Sequence, residues 1–316
     1  MRRGQTTGIG AALASAFFLG LAPVFGKQAI ALGFSPVAVV ALRTSLAAGL
    51  LLLIVVVFKR PFLYIFPVGL AGCILAGTIN GLGSLLYYLA LGRLSASVGQ
   101  LLYSMYPLFV AVWLILDNQP PSRLTIIRIA LAAFAVVLLA NASTGKADWL
   151  GVFLMLGAAA LYALHLPINQ RVLYEAPAPT VTLYTLLAMS AVVAPAYLIF
   201  DRQWPQDIVP WWPALGLTLV TFLSRLALFL GVKHLGGMHT AFLGLGELFV
   251  TIAVSYLWLH ERLSPLQWLG AIGLGISLLL ARFEPALPDK RKGRGGWLSW
   301  LRPPEIPPEI PWGPHE

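Results

Sequence analysis

Charge and cysteine are scarce in this chain. Only 10% of its 316 residues are Asp, Glu, Lys or Arg, while 59% are hydrophobic, a balance that excludes an ordinary soluble domain. Cys73 is the single cysteine, so an intramolecular disulfide framework and a cysteine-built zinc or iron–sulfur site are excluded. His234 and His239 stand five apart, off the one-turn spacing that puts two ligands on one helix face, and neither a metal nor a cofactor is expected. No Walker-type phosphate loop is present, so ATP-driven pumping lacks its usual signature. The net charge of +9 does not indicate nucleic acid as a partner. Six basic residues crowd into 282–302 and most of the others sit in short loops, as a membrane topology requires.

What the chain has in quantity is long apolar runs. The stretch 235–284 holds two, 241–259 and 266–281, separated by His260-Glu261-Arg262. Each is about long enough to cross a hydrocarbon core of ~30 Å at ~1.5 Å per helical residue. Ser264-Pro265 restarts the second run, Ser as N-cap and Pro at the first helical position. Glu247 stands in the middle of the first run; a carboxylate there is expensive, should face the interior and is a functional candidate. Residues 94–140 repeat the arrangement around Asp117-Asn118-Gln119, and a slide of 141 lays Tyr106 on Glu247. Pro23 and Lys27 recur as Pro167 and Arg171 after a slide of 144. Such a duplication in a membrane protein points to a transporter.

Ten transmembrane helices are predicted, over 8–28, 36–58, 62–91 (with an interfacial start), 97–116, 123–141, 149–170, 179–200, 211–231, 238–259 and 265–283. The expected fold is an all-α polytopic membrane protein in which 1–141 and 142–284 are five-helix repeats. Because five is odd, the second must be inverted relative to the first. The N-terminal MRRGQTTG runs into a segment too long for a signal-peptide core, so no cleaved signal is expected. With the N-terminus inside, fourteen Lys and Arg fall on the inner side and five on the outer. That bias places both termini in the cytoplasm and the chain in the inner (plasma) membrane. Residues 285–316, basic and then Pro-rich, read as a disordered cytoplasmic tail, with partner binding as the alternative.

The chain resembles the EamA-type members of the drug/metabolite transporter superfamily over nearly all of 8–283. The resemblance is carried by AFFLGLAPVFGKQAI, ALRTSLAAGLLLL, SASVGQLLYSMYPLF and GELFVTIAVSYLWLHERLSPLQWLGAIGLGISL in that order. Two departures stand out. The family often has Glu-Pro where this chain has Glu247-Leu248, although Pro107 survives in the first repeat; and the counterpart of Glu261-Arg262 is Asp117-Asn118. The resemblance implies secondary transport of small metabolites, often export, without naming the substrate.

Polar and small residues fall on single helix faces at 3–4 spacing: Thr240, Gly244, Glu247, Thr251 and Ser255; Gly99, Tyr103 and Tyr106; Ala158, Tyr162, His165 and Asn169; Asn80, Ser84 and Tyr87; Thr218, Thr221 and Arg225. They predict a central cavity lined by the third, fourth, sixth, eighth and ninth helices. Glu247 lies ~12 Å and Arg225 ~9 Å from the inner surface, depths that suit an ion pair, and Arg43 lies ~10 Å below the outer surface. The candidate pathway residues are Glu247, Arg225, Arg43, Asn80, Tyr103, Tyr106, His165 and Thr251. One carboxylate and two guanidiniums among aromatics would suit a zwitterion or an anion; a proton-carrying Glu247 is the alternative. Bland readings stand beside these: a structural salt bridge, a snorkelling or capping Arg43, packing tyrosines and a hydrogen-bonded interior histidine. Gly77, Gly81, Gly83, Gly270, Gly273 and Gly275 are read as close-approach points between helices.

The resulting reading is a non-enzymatic carrier. It moves a small polar metabolite, an amino acid or related compound, outward by alternating access, with the lipid bilayer as its other partner and a monomer or homodimer as its assembly. The competing classes are a membrane-embedded lipid-modifying enzyme and a channel or receptor that does not transport.

Overall fold

The computed structural model describes residues 3–106, 108–109, 112–113, 123–140, 148–201, 210–235, 240, 243–244 and 246–280. Among them are ten α-helices: α1 (Arg3–Ala31), α2 (Pro36–Phe58), α3 (Pro67–Arg93), α4 (Ala96–Tyr103), α5 (Arg123–Ala140), α6 (Trp149–Leu173), α7 (Ala178–Phe200), α8 (Trp212–Leu235), α9 (Gly246–Trp258) and α10 (Pro265–Leu279). The described residues contain no strand. The predicted tail lies outside them, as do His239 and Asp117.

Helix starts follow the capping residues. Ser35 Oγ accepts from the Ala38 N–H at 3.1 Å and Ser95 Oγ from Val98 at 3.3 Å. Ser264 and Gln267 form a reciprocal capping box, 3.2 and 2.9 Å. Asp148 caps α6 through the Gly151 N–H; that bond, and then Arg93 beside it, hold its carboxyl below the ordinary carboxylate range.

Two segments differ from the sequence reading. The interfacial start of the third helix is a separate 3₁₀ turn, Arg60–Leu63, and α3 begins only at Pro67. The fourth helix, expected unbroken over 97–116, ends at Tyr103 in a turn over Ser104 and Met105. A proline at 107 in the sequence has no N–H to offer the carbonyl of residue 103. Ser104 Oγ bonds the Gln100 carbonyl there at 2.7 Å.

Small residues set the packing. α1 packs against α8 and α9, and α6 against α3 and α4; α2 packs against α7 and α8, and α3 also against α7. α5 packs against α10, and α4 against α9. A Cβ on Gly77 would lie 2.6 Å from the Thr185 carbonyl on α7, and one on Gly20 would lie 2.6 Å from the Glu247 carbonyl on α9. Both helix pairs are therefore in backbone contact, which only glycine allows.

The burial pattern is that of a protein in lipid. Arg43, Asn80, His165, Asn169, Arg225 and Glu247 are buried, while Phe58, Phe200, Phe249, Leu257 and Leu269 are exposed. Six described helices, α1, α2, α3, α6, α7 and α8, are long and apolar enough to cross a bilayer.

Candidate functional site

A narrow cleft, with enclosed room on the order of one water molecule, lies between α1, α6, α8, the start of α9 and Tyr106. Its polar lining is Ser15, Tyr106, Tyr162, Thr240 and Glu247; Gly244 and aliphatic side chains complete it. Position in the helices fixes where it sits. Ala12, Ser15 and Leu19 belong to the first half of α1, and Leu228 and Val232 to the last turns of α8. The cleft thus occupies the half of the bundle holding the start of α1 and the end of α8.

Glu247, in the first turn of α9, is 3% exposed, and its Oε1 has no hydrogen-bond partner. Gln100 is a polar neighbour of the carboxylate, and its own Oε1 accepts from the Tyr87 hydroxyl at 3.1 Å. The expected ion pair with Arg225 does not form: no guanidinium nitrogen comes within 4.0 Å of the Glu247 oxygens, though the two charges still interact. Arg225 is committed elsewhere. The Asn80 amide oxygen, in the orientation that satisfies its neighbours, accepts from both Nη1 and Nη2 at 3.1 Å. The guanidinium carbon stands 5.9 Å over the Tyr162 ring, so equal depth on consecutive helices did not bring the two charges together.

The tyrosines form one continuous cluster. Tyr162 meets Tyr106 edge to face at 5.0 Å and Tyr103 at 5.2 Å, and Tyr103 meets Tyr87 at 4.9 Å. His165 lies 4.6 Å from the Tyr162 ring, and its Nδ1 is 2.7 Å from the Tyr162 carbonyl. Behind it, Asn169 donates to the His165 carbonyl and accepts from Thr185.

Of the eight candidate residues, Glu247 and Tyr106 line the cleft. Arg225, Asn80, Tyr103 and His165 form the layer around Tyr162 rather than the lining. Thr251 points to α1, its hydroxyl donating to the Gly20 carbonyl at 2.7 Å. Arg43 does not snorkel to the interface: it is buried, donates to Thr221 at 3.3 Å and Ser84 at 3.2 Å, and lies 4.8 Å over the Tyr88 ring. It braces α2, α3 and α8 at a distance from the cleft lining.

The first helix was missing from the expected cavity. Ser15 lines the cleft and donates to the Ser224 carbonyl at 3.2 Å. The signal was present in the spacing: Gly8, Ala12, Ala16 and Gly20 make a stripe of small residues every four positions, the pattern of a closely packed membrane helix.

The opposite end of the bundle is tied together. The Glu261 carboxylate accepts from the Ala96 N–H at 2.8 Å, the Ser97 N–H at 3.0 Å and the Ser97 hydroxyl at 2.9 Å. It thereby caps α4 from the far half of the chain. His260, with φ +55°, turns the chain after α9, and the Glu261 N–H returns to the Ser255 carbonyl. Lys27 Nζ donates to the Leu91 and Leu94 carbonyls, 2.8 and 2.7 Å, at the end of α3. Phe25, Trp212 and Trp258 pack beside this clasp, the two indoles stacked at 5.5 Å.

Known proteins agree with this architecture. The chain matches the EamA-like transporter family over residues 6–141 and again over 149–283. It is similar to "Uncharacterized transporter YcbK" of Bacillus subtilis (strain 168), 25% identical over 268 residues, covering 78% of this chain and 84% of that protein. A solved crystal structure aligns with 88% of this chain and 97% of its own at a TM-score of 0.61 and 15% identity, a likeness of fold alone. With the family matched over both halves, the chain belongs to the EamA-like transporters of the drug/metabolite transporter superfamily and is a polytopic membrane transporter.

Proposed function

We propose that this transporter is a secondary carrier working by alternating access between two inverted five-helix repeats, 1–141 and 142–284. It moves a small polar metabolite across the plasma membrane, with both termini cytoplasmic and all ten helices spanning. The observation that carries this reading is the contrast between the two ends of the bundle. The cleft lies at the end with the start of α1, while the other end is tied by Glu261 and Lys27. A carrier whose two ends are sealed to different degrees has this asymmetry.

Packing supports the inverted repeat. Exchanging the first five helices for the second five turns the α1–α8 contact into α6–α3, α1–α9 into α6–α4 and α2–α8 into α7–α3, all of which are present. The shorter α9 and α10 carry outward apolar faces, Phe249 and Leu257 on one, Leu269 and Ile272 on the other, as lipid contact requires. Export is the direction the family resemblance favours. Proton coupling is assigned to Glu247, the one carboxylate in the cleft lining among the described residues.

Reconstitution tests the reading. Counterflow of a labelled metabolite in proteoliposomes should occur with the intact chain, and a pH gradient should drive net accumulation. Glu247→Gln should keep counterflow while losing the response to the gradient. Gradient-driven accumulation unchanged in Glu247→Gln would reject the proton assignment, and absence of counterflow with every class of metabolite would reject the carrier.

A further inference from the structure

We propose that Arg171 is the latch of the cleft end: when that end closes, its guanidinium leaves Glu175 and caps the last carbonyls of α8. Lys27 already does this to α3 at the opposite end. The proposal rests on the inverted-repeat carrier reading above and names a contact that the second state of such a carrier forms.

Two glycines put the halves in register. A Cβ on Gly8, at the start of α1, would lie 2.8 Å from the His234 Cβ and 2.8 Å from the Leu235 Cγ at the end of α8. One on Gly151, at the start of α6, would lie 3.2 Å from the Arg93 Cβ and 3.0 Å from the Leu94 Cγ at the end of α3. The slide of 141 lays Arg93 on His234 and Leu94 on Leu235. The start of α1 therefore sits on the end of α8 as the start of α6 sits on the end of α3. These are two matching close-packed pairs, one tight at the cleft end and the other at the tied end.

Lys27 joins one pair to the other. Its Nζ donates to the Leu91 and Leu94 carbonyls at 2.8 and 2.7 Å, groups that a helix end leaves without an intrahelical donor and with partial negative charge. Slides of 144 and 141 turn Lys27 into Arg171 and the two acceptors into Val232 and Leu235. Arg171 stands in the last turn of α6, at the cleft end, and Val232 lines the cleft itself. α6 touches α8 as α1 touches α3. In this structure Arg171 donates instead to Glu175 at 2.8 Å, with 26% of the arginine side chain and 43% of the glutamate exposed. A solvated pair one helical turn apart is weak, so it parks the guanidinium without committing it. Lys233 and His234 share the last turn of α8 but are exposed, so water screens them; Arg93, at the matching place on α3, does not keep Lys27 away.

Spin labels at Tyr174→Cys and Lys233→Cys, both exposed positions, in a full chain carrying Cys73→Ser report the separation of the two helix ends. Pulsed electron spin resonance in lipid nanodiscs reads it without any ligand. Two separations are expected, the shorter being the latched one. Arg171→Ala should lower the short-to-long ratio at least about tenfold, the scale of one bond from a charged donor. Arg171→Lys should keep the short separation, and Glu175→Gln should enrich it by releasing the guanidinium. A pair that only stiffens the end of α6 would instead make Arg171→Ala and Glu175→Gln behave alike. Size-exclusion profiles report whether each variant is folded, and Glu175→Gln against the intact chain decides the matter even if Arg171→Ala is not. One separation throughout, or equal ratios in Arg171→Ala and Glu175→Gln, would overturn the proposal. A short separation that depends on Arg171, in a chain giving no counterflow of labelled amino acids, sugars or organic acids, would uphold the latch and overturn the carrier reading instead. Counterflow without any separation that depends on Arg171 would do the reverse.

Discussion

Arg225 depends on a neutral amide for its place in the bundle. Arg225 is 5% exposed, its guanidinium donates to the Asn80 oxygen, and the Tyr162 ring lies on its face. Asn80→Leu should therefore destabilise the protein by about 1.5–3 kcal/mol, the range for a hydrogen bond to a charged group. Unfolding in mixed micelles measures this. Adding Arg225→Met should recover most of the loss, since the unpaired buried charge goes with it; a double variant as unstable as the single one would show that Asn80 acts some other way. Glu247 and Arg225 were legible in the sequence because a charge within an apolar run is conspicuous. The role of Asn80 was not, because whether an amide turns its oxygen to a guanidinium is settled by α3 meeting α8. Thr251 misled for a related reason: it shares a face with Glu247, yet its hydroxyl is taken by the Gly20 carbonyl.

At the scale of the element, the helices were legible in order and number from run length and from Ser-Pro starts. The breaks were less so, since Pro107 was read as a family mark rather than as a residue with no N–H to offer the carbonyl of residue 103. α1 was the larger omission. Its stripe from Gly8 to Gly20 carries no charge or aromatic residue, so it offered nothing to a search for chemistry, yet it forms one wall of the cleft. Gly20 is where that wall touches the carboxylate's own backbone: a Cβ would stand 2.6 Å from the Glu247 carbonyl and 2.6 Å from the Val250 Cβ. Gly20→Ala must push α1 off α9, and should cost about 1–3 kcal/mol as an overpacked contact while sharply reducing transport. Gly10 lies on the same helix with nothing within 4 Å of its Cβ position. Gly10→Ala should be neutral or stabilising by up to about 1 kcal/mol. Thermal unfolding and proteoliposome uptake of the two variants side by side check the contrast; equal behaviour would mean that α1 tolerates displacement.

For the whole molecule, alternating access requires that the tied end open. Glu261, from the loop after α9, holds the first turn of α4 by three hydrogen bonds, and Lys27 holds the end of α3 by two. These bonds join the loop after α9 to the start of α4 and α1 to the end of α3, so separating the ends of α3 and α4 from α1 and α9 must break them. Bonds from a carboxylate to N–H groups at a helix start are worth more than neutral ones but are not beyond reach of substrate binding energy. A chain carrying Ser97→Cys and Glu261→Cys on a Cys73→Ser background, joined by a short reducible thiol cross-linker, holds that end shut. If the clasp is the gate, the joined protein should still bind ligand in the cleft while counterflow falls to background, and reductant should restore the flux. Counterflow that continues at its full rate with the two cysteines joined would take Glu261 off the transport path and leave it a helix cap alone.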